Sequence, residues 1–356
     1  MRVNFFIVTV VFCSLALPSG LYGKKTNRSI YQDPFDKAGG GADLTRASQD
    51  AVGFANPALL PWGEKGFRWW GGQGIAHYSL ESVEAIESAS DGSSDDLVDT
   101  VFGTPIRFGF ASVGSLVTNN FIGSGGTIQK IDLEGREHGS VTGGPAVELV
   151  GESYNGLAWG FAGRVNRYMS IGITPKYFVK TEPEVDIPLT DTTAFETIDT
   201  DTLEAEQTPA GGAGVDLGWL LFLQSSSVDF RLALKVDDIG DTQFGGEQDP
   251  WLQTGHVGLG LTFHGAVSAI HMSIDYRDVA NAYDEKLFKK VYAGVKILLA
   301  NHLGFALGLH HGIPSYGARL DLWVFSVGAT QYSEEMTNVI GEKRRDIREL
   351  YFAMGI

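Results

Sequence analysis

The stretch VGLGLTFHGAVSAIHMSIDYR, residues 257–277, decides the fold. Val257, Leu259, Leu261 and Phe263 alternate with Gly258, Gly260, Thr262 and His264. After the turn at Gly265-Ala266, Ile270, Met272, Ile274 and Tyr276 alternate with His271, Ser273, Asp275 and Arg277. A period of two is the signature of a β-strand. One face of each strand is wholly apolar; the other is glycine, hydroxyl or charge. The same unit recurs on both sides. Upstream, Val215 to Leu223 is apolar at every second position, and Phe230, Leu232, Leu234 and Val236 oppose Arg231, Ala233 and Lys235. Downstream, Val291 to Leu299, Leu303 to Leu309 and Leu320 to Val324 repeat it.

Ten residues tilted by about 45° cross the hydrocarbon of a bilayer. The turns at Gln224–Ser227, His264–Ala266 and Ala300–His302 are short, as one face of a transmembrane barrel requires. Spanning strands must close, because an open edge in lipid leaves backbone groups unpaired at several kcal/mol each. A soluble sandwich also alternates. Here the strands are long, the second face is mostly small, and strongly polar residues gather between strands. The expectation is an all-β fold, a transmembrane antiparallel β-barrel of about 14 strands over residues 66–356, with Asn120 to Glu148 the least regular part.

The beginning of the chain reads differently. Arg2, the apolar run Phe5 to Leu17 and Pro18-Ser19-Gly20 form the three parts of a secretory signal, expected over residues 1–23. Its apolar run of about thirteen residues is too short for a membrane helix, which needs ~20. The one cysteine, Cys13, lies inside it. Bulky Phe12 and the continuing apolar run argue against lipidation there, and a mature chain without thiols has neither disulfides nor Cys–zinc sites. Net charge is −16, from 43 acidic and 27 basic residues, which argues against nucleic acid as a partner. Much of the excess falls in Glu81–Asp99 and Glu182–Glu206, read as solvated loops.

Residues 24–65 are rich in glycine and alanine and carry no strand period. A short helix is expected over Leu44–Ala51, with a stop near Asn56-Pro57, since the residue before proline resists the helical region. Trp62, Trp251, Tyr316, Tyr332 and Tyr351 are candidates for interfacial girdles.

Catalytic chemistry is not visible. Gly151-Glu152-Ser153-Tyr154-Asn155 lacks the last glycine of a nucleophile elbow, and Gly123-Ser124-Gly125-Gly126 lacks the Lys-Ser/Thr of a phosphate cradle. Adjacent His310 and His311 should point to opposite faces of a strand. The expectation is no enzyme, no cofactor and no metal. Charges on the non-lipid face carry more information: Arg107, Arg164, Lys176, Arg231, Lys235, Asp275, Arg277, Lys296, Arg319 and Asp321. They read as ion pairs stiffening the barrel and holding a plug, with a polar path or release switch as the alternative.

The leader DPFDKAGGGA (33–42), followed by Ser48-Gln49-Asp50-Ala51 and Asn56-Pro57-Ala58-Leu59-Leu60, resembles the mature N-terminus of FadL-like outer-membrane proteins, a superfamily that includes fatty-acid transporters and PorV-like shuttle proteins. The resemblance implies a barrel of about fourteen strands whose lumen is plugged by the N-terminal segment, here residues 24–65 with Gly39, Gly40, Gly41, Asp50, Asn56 and Pro57 as plug positions. It implies passage of hydrophobic small molecules, with cargo leaving sideways through the wall. The alternative is a PorV-like dock for a secretion-system or exported protein partner. The chain departs from common outer-membrane barrels in ending on Ile356 rather than an aromatic residue.

Overall fold

In the computed structural model, residues 31–48, 51–63, 67–79, 106–136, 146–182, 184–188, 209–245, 248–300, 302–335 and 344–355 are described. The signal, Asp50 and most of both acidic stretches lie outside them. Fifteen strands are present among the described residues: β1 (Arg68–Ser79), β2 (Ile106–Val117), β3 (Phe121–Arg136), β4 (Ala146–Arg164), β5 (Met169–Thr181), β6 (Glu184–Pro188), β7 (Ala210–Gln224), β8 (Val228–Asp237), β9 (Thr254–His264), β10 (Ser268–Tyr276), β11 (Val291–Leu299), β12 (Leu303–His310), β13 (Ile313–Leu322), β14 (Phe325–Glu335) and β15 (Arg344–Gly355).

Each strand is antiparallel to its neighbours. Pairing of β1 with β15 and of β3 with β4 closes the wall into a ring. Both β5 and β6 pair with β4, at Ser153–Arg164 and at Ala146–Val150, and so act as successive parts of one stave. The wall is therefore a closed fourteen-stave barrel, and the described residues of the irregular stretch 120–148 fall in the long β3 and the start of β4.

Connections 118–120, 165–168, 225–227, 265–267, 300–302 and 323–324 share one end, the short-turn end. Most long loops emerge at the other. Outward positions such as Leu259, Leu261, Phe263, Met272, Ile274, Phe305 and Leu307 are exposed apolar side chains, as a lipid-facing belt requires. None of the helices among the described residues is long and apolar enough to cross a membrane.

Two irregularities break the ladder. Around Trp70–Gln73 the register of β1 slips against both neighbours, a bulge that shifts the inward–outward parity. Between β4 and β5 the paired positions jump from Ala158–Lys176 to Phe161–Ile173, where Pro175 has no N–H to give.

Residues 31–63 lie inside the wall and add no strand to it. The expected helix over 44–51 is not seen at its described residues. Helical turns form instead at Pro34–Ala38 and Val52–Ala55, with a 3-10 helix at Pro57–Trp62. The reason is capping. Asp33 accepts hydrogen bonds from the N–H groups of Phe35 and Asp36, and Pro34 presets the first turn. Gly40 and Gly41, at φ +76° and +70°, lead the chain away from it. The expected stop holds at Asn56, whose side chain accepts from Ala58 N–H.

Candidate functional site

Several inward positions of the wall are glycine where the N-terminal segment lies directly on them. A methyl group at Gly172 would stand 2.7 Å from the Pro57 carbonyl carbon. At Gly294 it would stand 2.6 Å from the Gly39 carbonyl carbon, and at Gly304 2.7 Å from the Phe35 ring. Gly258 and Gly260 similarly seat Leu44 and Thr45. Gly39, Gly40 and Pro57 thus press backbone against backbone, a close approach that side chains on the wall would forbid, while Asn56 sets its side-chain oxygen on Gly218 and Gly41 faces the His310 and Tyr292 rings.

Charges fix this segment in place. Lys296 Nζ is 2.5 Å from Asp36 Oδ1, Arg277 is 2.6 Å from Asp43, and Lys37 is 2.6 Å from Glu349. Asp275 accepts from Leu44 N–H at 3.0 Å, Arg231 donates to Thr45 O at 2.9 Å, and Lys235 donates to Phe54 O. Arg164 donates to Pro61 O at 2.6 Å and stacks on Trp62, while Arg319 stacks over Phe35 and pairs with Asp321 at 3.0 Å. Seven of the ten charges singled out in the sequence therefore meet the segment directly.

Arg107, Lys176 and Asp321 do not. Arg107 joins Asp132 and Glu334 at 2.5 and 2.7 Å, and Arg345 shares both acids, in a four-charge cluster at the long-loop end. Lys176 sits between Asp216 (2.7 Å) and Asp238 (2.9 Å). Asp238 follows β8, outside the spanning strands. Burial pushes its carboxyl up to about 6, with Asp216 and Asp237 adding to the rise and Lys176 opposing it.

Above the segment, toward the long loops, five aromatic rings form a chain of edge-to-face and tilted contacts on Trp251. Phe244, Tyr154 and Phe178 lie 4.7, 5.6 and 5.7 Å from it, and Phe178 continues through Phe54 to Tyr31. The loop after β8 carries Phe244 and Trp251 inward through bridges Gly212–Phe244 and Thr242–Trp251. Below the segment, at the short-turn end, is a cavity of about 670 Å³ bounded by Asp36, Arg46, Val52, Trp62, Arg231, Lys296 and others. On the lipid side, Phe161, Ile171, Ile173, Leu217 and Trp219 line an apolar groove of about 640 Å³ beside the β4–β5 interruption.

Sequence reasoning missed the acids contributed by the segment and wall, namely Asp36, Asp43 and Glu349. For Asp36 and Asp43 a signal was present: three aspartates, Asp33, Asp36 and Asp43, and one lysine, Lys37, in a run otherwise built of glycine, alanine and apolar residues. The girdle expectation is corrected. Tyr332 and Tyr351 are buried at inward positions, Trp62 packs edge-on against Phe222 inside, and Trp251 lies in the aromatic chain; only Tyr316 points outward. The opposite-face expectation for His310 and His311 also fails. His311 takes φ +52° in the tight turn, which brings both rings together at 4.6 Å beside Tyr292.

This architecture recurs in solved structures. The chain aligns with the toluene transporter TbuX of Ralstonia pickettii at 10% identity and a TM-score of 0.53, over 92% of this chain and 98% of that one. It aligns with the toluene transporter TodX of Pseudomonas putida at 10% identity and a TM-score of 0.51, over 92% and 99%. The fold is FadL-like. No protein-family model matches the sequence, and no curated protein does. At this identity the likeness rests on the FadL-like architecture, and the functional reading must come from the lumen of this chain.

Proposed function

We propose that the protein is an outer-membrane channel passing hydrophobic small molecules, with residues 24–65 as its plug and residues 1–23 as a cleaved export signal. The observation that carries this reading is the lumen itself. A segment held by side-chain contacts occupies it, between an aromatic chain on the long-loop side and a cavity on the short-turn side. Short turns face the periplasm in such barrels, so cargo would meet the aromatic rings first. Aromatic rings favour edge-to-face contact with another ring by about 0.5–1.5 kcal/mol beyond the area buried. That suits a monoaromatic or similarly compact apolar solute, and the named cargo of TbuX and TodX is toluene. The interruption of the β4–β5 ladder beside Pro175, next to the outer groove, is where a sideways exit would lie.

The test is uptake into proteoliposomes of a labelled monoaromatic hydrocarbon and of a small sugar. The intact protein should pass the first and exclude the second. Deleting residues 33–60 should admit the sugar or abolish hydrocarbon uptake. Identical behaviour of intact and deleted protein toward both solutes would refute a gated channel.

A further inference from the structure

The cavity at the short-turn end has a charge balance opposite to that of the chain. Six arginine and lysine side chains border it against four aspartates, in a protein of net charge −16. Three of those aspartates are already engaged: Asp36 by Lys296, Asp229 by His264 at 2.8 Å, and Asp321 by Arg319 at 3.0 Å. Arg231 is held by the Thr45 carbonyl and the Phe222 ring, not by a carboxylate within ion-pair distance, and Arg46 adds like charge beside it.

Two residues that line it carry a buried polar atom without a hydrogen-bond partner among the described residues, Arg231 Nε and His271 Nε2, and Thr45 Oγ1, buried behind the cavity wall, is a third. His271 is 2% exposed, and its other ring nitrogen is used by Thr262 at 2.9 Å. Thr45 and the His271 ring both crowd the same wall position, Gly260. Leaving such groups unpaired is unfavourable, most of all for a charged one. An oxyanion in the cavity offers acceptors for Arg231 and His271 and a counter-charge for Arg231.

The geometry points to an oxyanion site on the periplasmic side, formed by Arg231 and His271 with Arg46, that takes a carboxylate or phosphate group. The neighbouring walls, Val52, Trp62 and Phe222, leave room for a short apolar tail on that anion. Because Arg46 belongs to the N-terminal segment and Arg231 and His271 to the wall, a bound anion would tie the two together. The site stands whether or not the chain transports anything.

The test is calorimetry on the full-length protein in non-ionic detergent with octanoate, octyl phosphate, octanol and inorganic phosphate. Octanoate and octyl phosphate should bind saturably, about tenfold or more tighter than octanol, as expected for charge-assisted hydrogen bonds. R231Q should cost about tenfold for the anions and leave octanol unchanged, with heat-modifiable migration confirming the barrel. R46Q serves the same purpose if R231Q does not fold. Inorganic phosphate as tight as octyl phosphate assigns the site to free oxyanions, and weaker phosphate assigns it to an amphiphile head group. Octanol binding as tightly as octanoate, or unchanged anion affinity in both variants, would overturn the proposal.

Discussion

The pair Lys296–Asp36 gives the sharpest handle on how firmly the N-terminal segment is held. The two groups are 2.5 Å apart and both are more than nine-tenths buried. Asp36 also accepts from Ser48 N–H at 2.8 Å, so its carboxylate ties together the helical turn, the following irregular stretch and strand β11. In K296M that carboxylate stays buried with its ammonium gone. Removing one partner of a buried pair costs about 3–5 kcal/mol. At 1.4 kcal/mol per tenfold, the lower figure means roughly a hundredfold more of the displaced segment. D36N should cost less, because Asn keeps an acceptor for Ser48. The double variant K296M/D36N should fall well short of the summed singles, with a coupling above about 1 kcal/mol. Single-channel conductance and protease cleavage within residues 31–63 both read the displaced fraction. Strictly additive singles, or K296M as closed and protease-resistant as the parent, would refute the reasoning.

Three further outcomes follow. G172V should lower the thermal transition of the folded barrel by an overpacking cost of about 1–3 kcal/mol, since a methyl there would already stand 2.7 Å from the Pro57 carbonyl carbon. G163V, on the lipid side with nothing within 4 Å, is the matched control and should leave the transition in place. L307R, at an outward residue 63% exposed, should destabilise by about 2–4 kcal/mol in lipid refolding if that position lies at the midplane. Asp238 titrates at about 6 when folded against 3.8 as a free side chain, so folding favours its protonated form. Its contribution is complete below about pH 4 and is lost as pH rises through 6. The thermal transition should therefore fall between pH 4 and 7, and D238N should flatten that slope; an unchanged slope in D238N would assign it elsewhere.

Much of the barrel was legible because a strand has only two faces. Once Leu259 and Leu261 are assigned to lipid, Gly258, Gly260 and Asp275 follow inward, and the inward charges fall into place with them. What period two cannot carry is a break in parity or a contact across the lumen. The bulge at Trp70–Gln73 and the positive φ of His311 each invert a face locally, and neither has a periodic signature. Tyr332 and Tyr351 were misread because an aromatic near a strand end suits a membrane interface equally well when only composition is considered. The contacts of Asp36, Asp43 and Glu349 span 260, 234 and 312 positions of sequence, and nothing local announces them. The glycines were visible but their purpose was not. Alternation says that Gly294 faces inward, not that a second backbone lies against it.

That division between wall and segment bears on function. The wall closes through β1–β15 and β3–β4 without borrowing a single ladder bond from residues 31–63. The segment is fastened by ion pairs and side chain-to-carbonyl bonds, lies close over wall glycines, and also buries apolar side chains against the strands. Phe35 and Phe54 join one cluster with Ile75, Val113 and Phe178, and Leu44, Val52, Leu59 and Leu60 join another with Ile122, Leu220 and Phe222. Displacing the segment therefore requires both breaking separate polar contacts and exposing those apolar side chains, while the hydrogen-bonded cylinder stays intact because no ladder bond is shared. The polar fastenings and the glycine floor let the segment part from the wall locally; the two apolar clusters couple its displacement to the strands, since packed cores transmit strain to their neighbours.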